Sequence, residues 1–388
     1  MIILIFSLLR LIFAFSTQSY FSGDDFTVIS QIHHLSWQGM IVQDLTTGDP
    51  WGFKKITGYL LFRLIFLLFR TNPLPFLLTE FFLHLGNTLL IFVIGRRLAH
   101  RQAGPLLGAL VFNRLFLTYF SNLHEYLAAF FSLTAIYFAL RIKPRLTLLN
   151  FILALLSKEV GIVSLGYLLI SKLLARPKII MTVIGMIFTI WQAPSFISRF
   201  SLNSAHPYLA DTQIFAHLAG YLPLGSIFLF FILFFSSPRS RIWLISAALA
   251  LLPALFLANR HENYYLYLPL AYLGIFTAVS LPKLKLSTVG LYLAVILIFG
   301  GRSFFPLLPK QLYPNWQKYS IEGVLARIIS SVPGNSEISL SDLNLERDAR
   351  LMLGSGVIGD FLPQDLSSRY NFIYYADRNT VQVSQNSY

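Results

Sequence analysis

Apolar stretches of ~17–25 residues recur along the chain, and they read as transmembrane helices. Hydrophobic residues make up 55% of the sequence and charged residues only 12%. With a mean hydropathy of +0.64, that is more apolar surface than a soluble core needs. The 36 Phe and 19 Tyr suit buried helix contacts and interfacial belts. No cysteine is present, so disulfides and thiolate metal sites are excluded. The first run, Met1 to Phe15, has the length of a signal peptide. It carries Arg10 mid-run and lacks a small-residue cleavage site, so it reads as a retained first helix.

Charge is distributed unevenly. Residues 1–305 carry 23 basic and nine acidic side chains, whereas residues 306–388 carry seven and eight. The excess behind the net +13 thus belongs to the apolar part. It points to orientation and lipid headgroups, not to nucleic acid. Basic clusters fall between apolar runs at Arg96–Arg101, Arg141–Arg145, Lys172–Lys178, Arg239–Arg241 and Lys283–Lys285, and none of these five loops holds a carboxylate. By the positive-inside rule they are cytoplasmic. The acids Asp24, Asp25, Asp44, Asp49, Glu125, Glu159, Asp211 and Glu262 then share the external side, with Glu80 near the outer mouth of a helix. Acids do little to set topology, so their one-sidedness points to an external, carboxylate-lined site.

The expected spans are roughly 2–18, 76–96, 104–121, 125–141, 146–157, 160–175, 178–196, 215–235, 242–258, 265–281 and 287–304. The expected fold is an all-α polytopic membrane protein with about eleven helices, an internal N-terminus and an external C-terminus, in a plasma (cytoplasmic) membrane. Runs 146–157 and 160–175 are short and meet at Ser157-Lys158-Glu159. Breaks of that kind are tolerated where they line a protein cavity. Residues 56–70 make a short apolar helix carrying Arg63 and Arg70. If it spanned, every later basic loop would flip outside, so it is expected to lie in the external interface of the first loop. Residues 1–305 form the membrane domain. Residues 306–388 change character: Pro306, Pro309, Pro314, Pro333 and Gly334 punctuate a mixed polar chain. Glu337 to Asp342 alternates like a strand and Ile321 to Ser330 looks helical, which together suggest a small external α/β appendage.

Five constellations carry chemistry. The loop Ser19–Lys55 holds Asp24, Asp25, His33, His34, Asp44 and Asp49. A carboxylate there can act as a general base, bind a divalent cation, or simply be solvated. His84 and Asn87 share one helix face, as substrate contacts or as hydrogen-bonding glue between helices. His124-Glu125 is a weak metal signal alone, because adjacent helical residues do not face the same way. Lys158 can snorkel, pair with Glu159, or hold a phosphate as a point charge. The run Asn259-Arg260-His261-Glu262-Asn263-Tyr264-Tyr265 clusters charge and aromatics at a helix boundary, and an aromatic belt accounts only for its tyrosines.

Taken in order, these segments resemble the GT-C superfamily of membrane glycosyltransferases, most of all its protein O-mannosyltransferase-like branch and tetratricopeptide-bearing relatives. Phe21-Ser-Gly-Asp24-Asp25-Phe26 looks like the acidic motif of the family's first external loop. His84 with Asn87, Ser121 to Tyr126, the Ser157-Lys158-Glu159 motif and Glu262-Asn-Tyr-Tyr-Leu-Tyr-Leu-Pro269 resemble the later ones. The likeness covers about residues 1–300 and leaves the appendage out. Two departures stand out. Arg260 precedes Glu262 where the family places arginine after the glutamate, and the loop helix opens Trp51-Gly-Phe-Lys54-Lys55 in place of a Tyr-Arg-Pro-like element.

The resemblance implies transfer of a mannose-like hexose from a polyprenyl-phosphate donor to an acceptor hydroxyl on a protein, glycan or lipid. Asp24 or Asp25 would be the base, and Lys158 and Arg260 would neutralise the leaving phosphate. His84, His124, Glu125, Glu159, Glu262 and Tyr265 complete the expected substrate contacts. A divalent cation is an option, with Asp25, His124 and Glu125 as its candidate ligands. The competing readings are a transporter or flippase of lipid-linked sugars, and an O-antigen ligase or polymerase. A transporter would usually show internal repeats and midplane polar residues, and neither is seen here.

The charge pattern yields a direct test. Arg97→Cys and Lys283→Cys should resist a membrane-impermeant thiol reagent in intact cells. Labelling at either position overturns the orientation.

Overall fold

The computed structural model describes residues 2–5, 7–8, 25, 28–29, 32, 35–46, 55–70, 72, 74–99, 103–113, 122–199, 240–255, 263–280, 336–339, 370–375 and 380–385. The expected spans 215–235 and 287–304, Asp24, the Arg260–Glu262 run and the Ile321–Ser330 helix lie outside them. In chain order the helices are α1 (Trp37–Thr46), α2 (Ile56–Phe69), α3 (Leu74–Ala99), α4 (Ala103–Asn113), α5 (Leu123–Leu140), α6 (Pro144–Ser157), α7 (Ser164–Ile170), α8 (Ala175–Arg199), α9 (Arg241–Leu255) and α10 (Tyr267–Ser280). Short 3₁₀ turns, Glu159–Val163 and Asn263–Leu266, lead into α7 and α10.

Among the described residues, three helical segments are long and apolar enough to cross a membrane: Leu74–Ala99, Leu123–Leu140 and Ala175–Pro194. They coincide with the runs read at 76–96, 125–141 and 178–196. α8 presents Met186, Ile187 and Ile190 outward, the last 72% exposed. Such a face suits lipid and would be a liability in water. The chain is accordingly a membrane protein.

α5 sits at the centre, packed against α2, α3, α6, α7 and α10. Its buried Ala128, Ala129, Ala135 and Ala139 let neighbours come close. The turn into α6 is tight: Ile142 has φ 55, a costly conformation for a β-branched residue, and Pro144 then starts the helix. Arg141, Lys143 and Arg145 project from this turn, all exposed.

Small residues set the other crossings. A Cβ on Gly108 of α4 would stand 2.1 Å from the Gly274 carbonyl oxygen of α10, and one on Gly95 of α3 would meet Ala278 Cβ at 2.6 Å. Between lipid-bathed helices close packing replaces the hydrophobic effect as the cohesive term.

Near the C-terminus, β1 (Ser336–Ser339), β2 (Tyr370–Tyr375) and β3 (Thr380–Gln385) form an antiparallel sheet in the order β1-β3-β2. Ile338 pairs with Val381 and Phe372 with Val383. β1 falls where the alternation from Glu337 predicts a strand.

The glycine contacts predict a contrast in stability. Gly108→Val should lower thermal stability by at least 1–3 kcal/mol, roughly the cost of overpacking, because backbone cannot move aside as a side chain can. Gly166→Ala, with nothing within 4 Å of the added carbon, should instead be neutral or stabilise by up to about 1 kcal/mol. Equal melting points for the two variants would contradict this packing.

Candidate active site

The Ser157-Lys158-Glu159 break places a cation inside the bundle. α6 ends at Ser157, Lys158 takes extended angles (φ −163°, ψ 148°), and a 3₁₀ turn follows. Gly161 makes this possible, since a Cβ there would lie 2.6 Å from the Ala154 carbonyl oxygen. Two backbone bonds close the corner, Lys158 N–H to Ala154 O at 3.1 Å and Gly161 N–H to Lys158 O at 3.0 Å.

From this corner the Lys158 ammonium donates to Glu125 Oε1, in the first turn of α5. Lys158 is 4% and Glu125 2% exposed. Charges so deeply removed from water persist only when paired. The Lys158 ammonium also stands 5.2 Å from the centre of the Tyr265 ring, a cation–π distance. His124 Nε2 approaches Glu125 Oε1 to 3.7 Å. At the helix start, therefore, the two adjacent side chains do converge, contrary to the expectation for mid-helix neighbours. Glu125 further lies in the field of Lys55 and Glu159.

A second pair of acids is also buried. Asp25 and Glu80 are both fully buried and electrostatically coupled. Neither carboxyl oxygen of Glu80 has a hydrogen-bond partner among the described residues. The Tyr267 hydroxyl lies in the field of both Glu80 and Glu125. Glu125 and Lys158 thus form one buried ion pair, and Asp25 with Glu80 a buried acidic pair.

Beneath the cluster, a hydrogen-bond network joins the helices. His84 Nδ1 lies 2.8 Å from Tyr267 Oη, and Nε2 lies 3.0 Å from Asn113 Oδ1. Asn113 Oδ1 also accepts from Ser7 Oγ at 3.1 Å, so Nε2 must carry the imidazole proton. With Nδ1 bare, that atom accepts from Tyr267 O–H. The Tyr267 oxygen in turn accepts from Asn87 Nδ2 at 3.2 Å, and Asn87 also donates to Tyr126 O at 3.0 Å. Every role is consistent. His84 and Asn87 therefore act as the helix-joining pair, with both His84 ring nitrogens engaged by protein.

α2 covers the cluster. Gly58 packs on the start of α5, where a Cβ would meet His124 Cβ at 2.6 Å. Ser157 Oγ donates to Leu153 O at 2.7 Å, so the 2.6 Å contact with Thr57 is a bond donated by Thr57. Lys55, just ahead of α2, acts on Glu125 through its charge. Arg63 of α2 is also buried, with its guanidinium 4.9 Å from the centre of the Trp37 ring.

Of the residues expected from sequence, His124, Glu125, Lys158 and Tyr265 come together, with Glu159 at the edge, His84 in the supporting network and Asp25 buried in the field of Glu80. Asp24, Arg260 and Glu262 lie outside the described residues. Glu80, Tyr267 and Asn113 were not among the expected site residues. Glu80 had a signal: a lone acid in an apolar helix, spaced i, i+4, i+7 with His84 and Asn87. Among the described residues no group of three or more His, Asp or Glu could hold a metal ion, and at Glu125 the Lys158 ammonium occupies the place a cation would take. No family model, curated protein or solved structure matches the chain.

A double-mutant cycle tests the pair. Lys158→Met alone should cost about 3–5 kcal/mol, because it leaves Glu125 buried and uncompensated. Adding Glu125→Gln should recover part of that loss. Strict additivity in melting experiments would mean that the two side chains do not meet.

Proposed function

We propose that the chain is a membrane glycosyltransferase resembling the GT-C superfamily, which moves a hexose from a polyprenyl-phosphate donor to an acceptor hydroxyl at the external membrane face. The reading rests on the buried Glu125–Lys158 pair and on the buried Asp25 in the field of Glu80, in a chain whose acids otherwise follow one predicted face. A transfer reaction needs both a carboxylate and a cation at the same place. In this reading the chain crosses the membrane about eleven times, α2 lies in the external interface as a roof, and residues 306–388 are external.

The acceptor oxygen attacks the anomeric carbon as the bond from that carbon to the phosphate oxygen breaks. The phosphate leaves with the electron pair, and the acceptor proton passes to Asp25 or its neighbour Asp24. Lys158, held in place by Glu125 and backed by Tyr265, meets the negative charge that develops on the phosphate, with Lys55 and Arg260 as further cations. Glu125 is then a positioning residue, because its carboxylate aims the ammonium.

The expected outcome is that Asp25→Asn loses at least ~10²-fold in transfer of labelled sugar from lipid donor in proteoliposomes, while insertion is retained. Lys158→Ala should weaken donor handling, read as poorer donor binding. Full transfer in both Asp24→Asn and Asp25→Asn variants would sink the assignment and favour a transporter of lipid-linked sugars.

A further inference from the structure

The turn that joins α5 to α6 combines features that water does not reward. It closes as a Schellman motif: Ile142 N–H donates to Ala139 O at 3.0 Å, and Lys143 N–H donates to Phe138 O at 3.0 Å. That closure favours glycine at its left-handed position, yet the chain puts Ile142 there, at φ 55. The Ile142 side chain is 56% exposed, so core packing does not account for it. Arg141 and Lys143 flank it and Arg145 follows, all three exposed. The first two turns of α6 add Leu146 and Leu149, also exposed and three positions apart on one face. No acid occurs within residues 138–150.

The depth of the turn gives these side chains a common partner. α5 is long and apolar enough to span the membrane, so the residues just after Leu140 lie near the lipid headgroups. Basic side chains there reach the phosphates while their stems cover hydrocarbon. The Arg141 guanidinium stands 5.5 Å from the centre of the Tyr137 ring. A planar guanidinium can stack on a ring and still bond an anion along its edge. Free phosphate would use the cations but leave Ile142, Leu146 and Leu149 uncovered. A zwitterionic lipid would bring a cation of its own against three more. We propose that this turn binds an anionic glycerophospholipid, its phosphate on Arg141, Lys143 and Arg145 and an acyl chain along Ile142, Leu146 and Leu149. Positive charge by itself serves orientation. The exposed isoleucine, kept where the backbone favours glycine, is what sets this turn apart as a lipid site.

The test uses the full-length chain in phosphatidylcholine nanodiscs and does not depend on sugar transfer. The probe is a phosphatidylglycerol with a diazirine on its acyl chain, compared with a phosphatidylcholine probe of the same chains. Labelling by the anionic probe should saturate, map to residues 142–149 and exceed the zwitterionic probe about tenfold. Each cation beside an anionic headgroup is worth about fivefold in binding, so combining Arg141→Gln, Lys143→Gln and Arg145→Gln should cost at least ~10-fold. Combining Arg96→Gln with Arg97→Gln, at the exposed end of α3, should leave labelling unchanged. Ile142→Gly gives the turn its favoured residue and removes the apolar group. It should melt no lower than the parent, yet label several-fold less. This variant keeps all three cations, so it decides the matter even if the charge variant inserts poorly. Equal labelling by the two probes, equal losses in the two charge variants, unchanged labelling in Ile142→Gly, or displacement of the probe by millimolar inorganic phosphate overturns the proposal.

Discussion

A lysine and a glutamate buried among helices must pair or be expelled, and much of the described structure is arranged around that requirement. Lys158 enters the bundle only because α6 stops one residue before it. Glu125 reaches it because it lies in the first turn of the most enclosed helix. Gly161 and Gly58 allow the backbone approaches that close the corner and seat α2 over it. Remove the pairing and each of these features is a defect: a broken helix, a short apolar helix, and two glycines in place of good helix formers.

Two kinds of cohesion hold the remaining helices. Glycine and alanine crossings at α4–α10 and α3–α10 bring backbones close enough for dispersion to act. The Ser7–Asn113–His84–Tyr267–Asn87 chain adds directional bonds with one self-consistent proton arrangement. Its buried aromatic partners reinforce it: the Tyr126 and Tyr267 ring centres are 4.7 Å apart, and those of His84 and Phe112 are 5.1 Å apart. Tyr267 belongs to both this network and the charged cluster, so the rigid part of the bundle reaches directly to the site.

The corner at Lys158 also separates two environments. On one side lies the Lys158–Glu125 pair, backed by the Tyr265 ring. On the other lies an apolar cavity walled by Phe188, Leu249 and Pro253. Adjacent side chains on a broken helix point in different directions, and this is how Lys158 and Glu159 can face different partners.

Among the described residues the sequence by itself located most of the helices, because a run of apolar residues is readable without knowing its neighbours; α1, a helix inside the segment expected as the loop Ser19–Lys55, is the exception. It located the break at Ser157-Lys158-Glu159, and the alternation read at Glu337–Asp342 overlaps the strand Ser336–Ser339, for the same reason: these are local patterns of hydropathy and alternation. It also singled out Asp25, His124, Glu125 and Lys158 as chemistry-bearing, since charge is conspicuous in hydrocarbon. Tertiary structure alone decided which of them meet. Glu125 and Lys158 are 33 positions apart, and His84 and Tyr267 are 183 apart. Only helix packing brings them together, and it gave His84 a structural role where spacing left two roles open. Glu80, one acid at a helix mouth in the sequence, gained its importance from its burial in the field of the buried Asp25. Burial and pairing are properties of the packed bundle, and a one-dimensional pattern records neither.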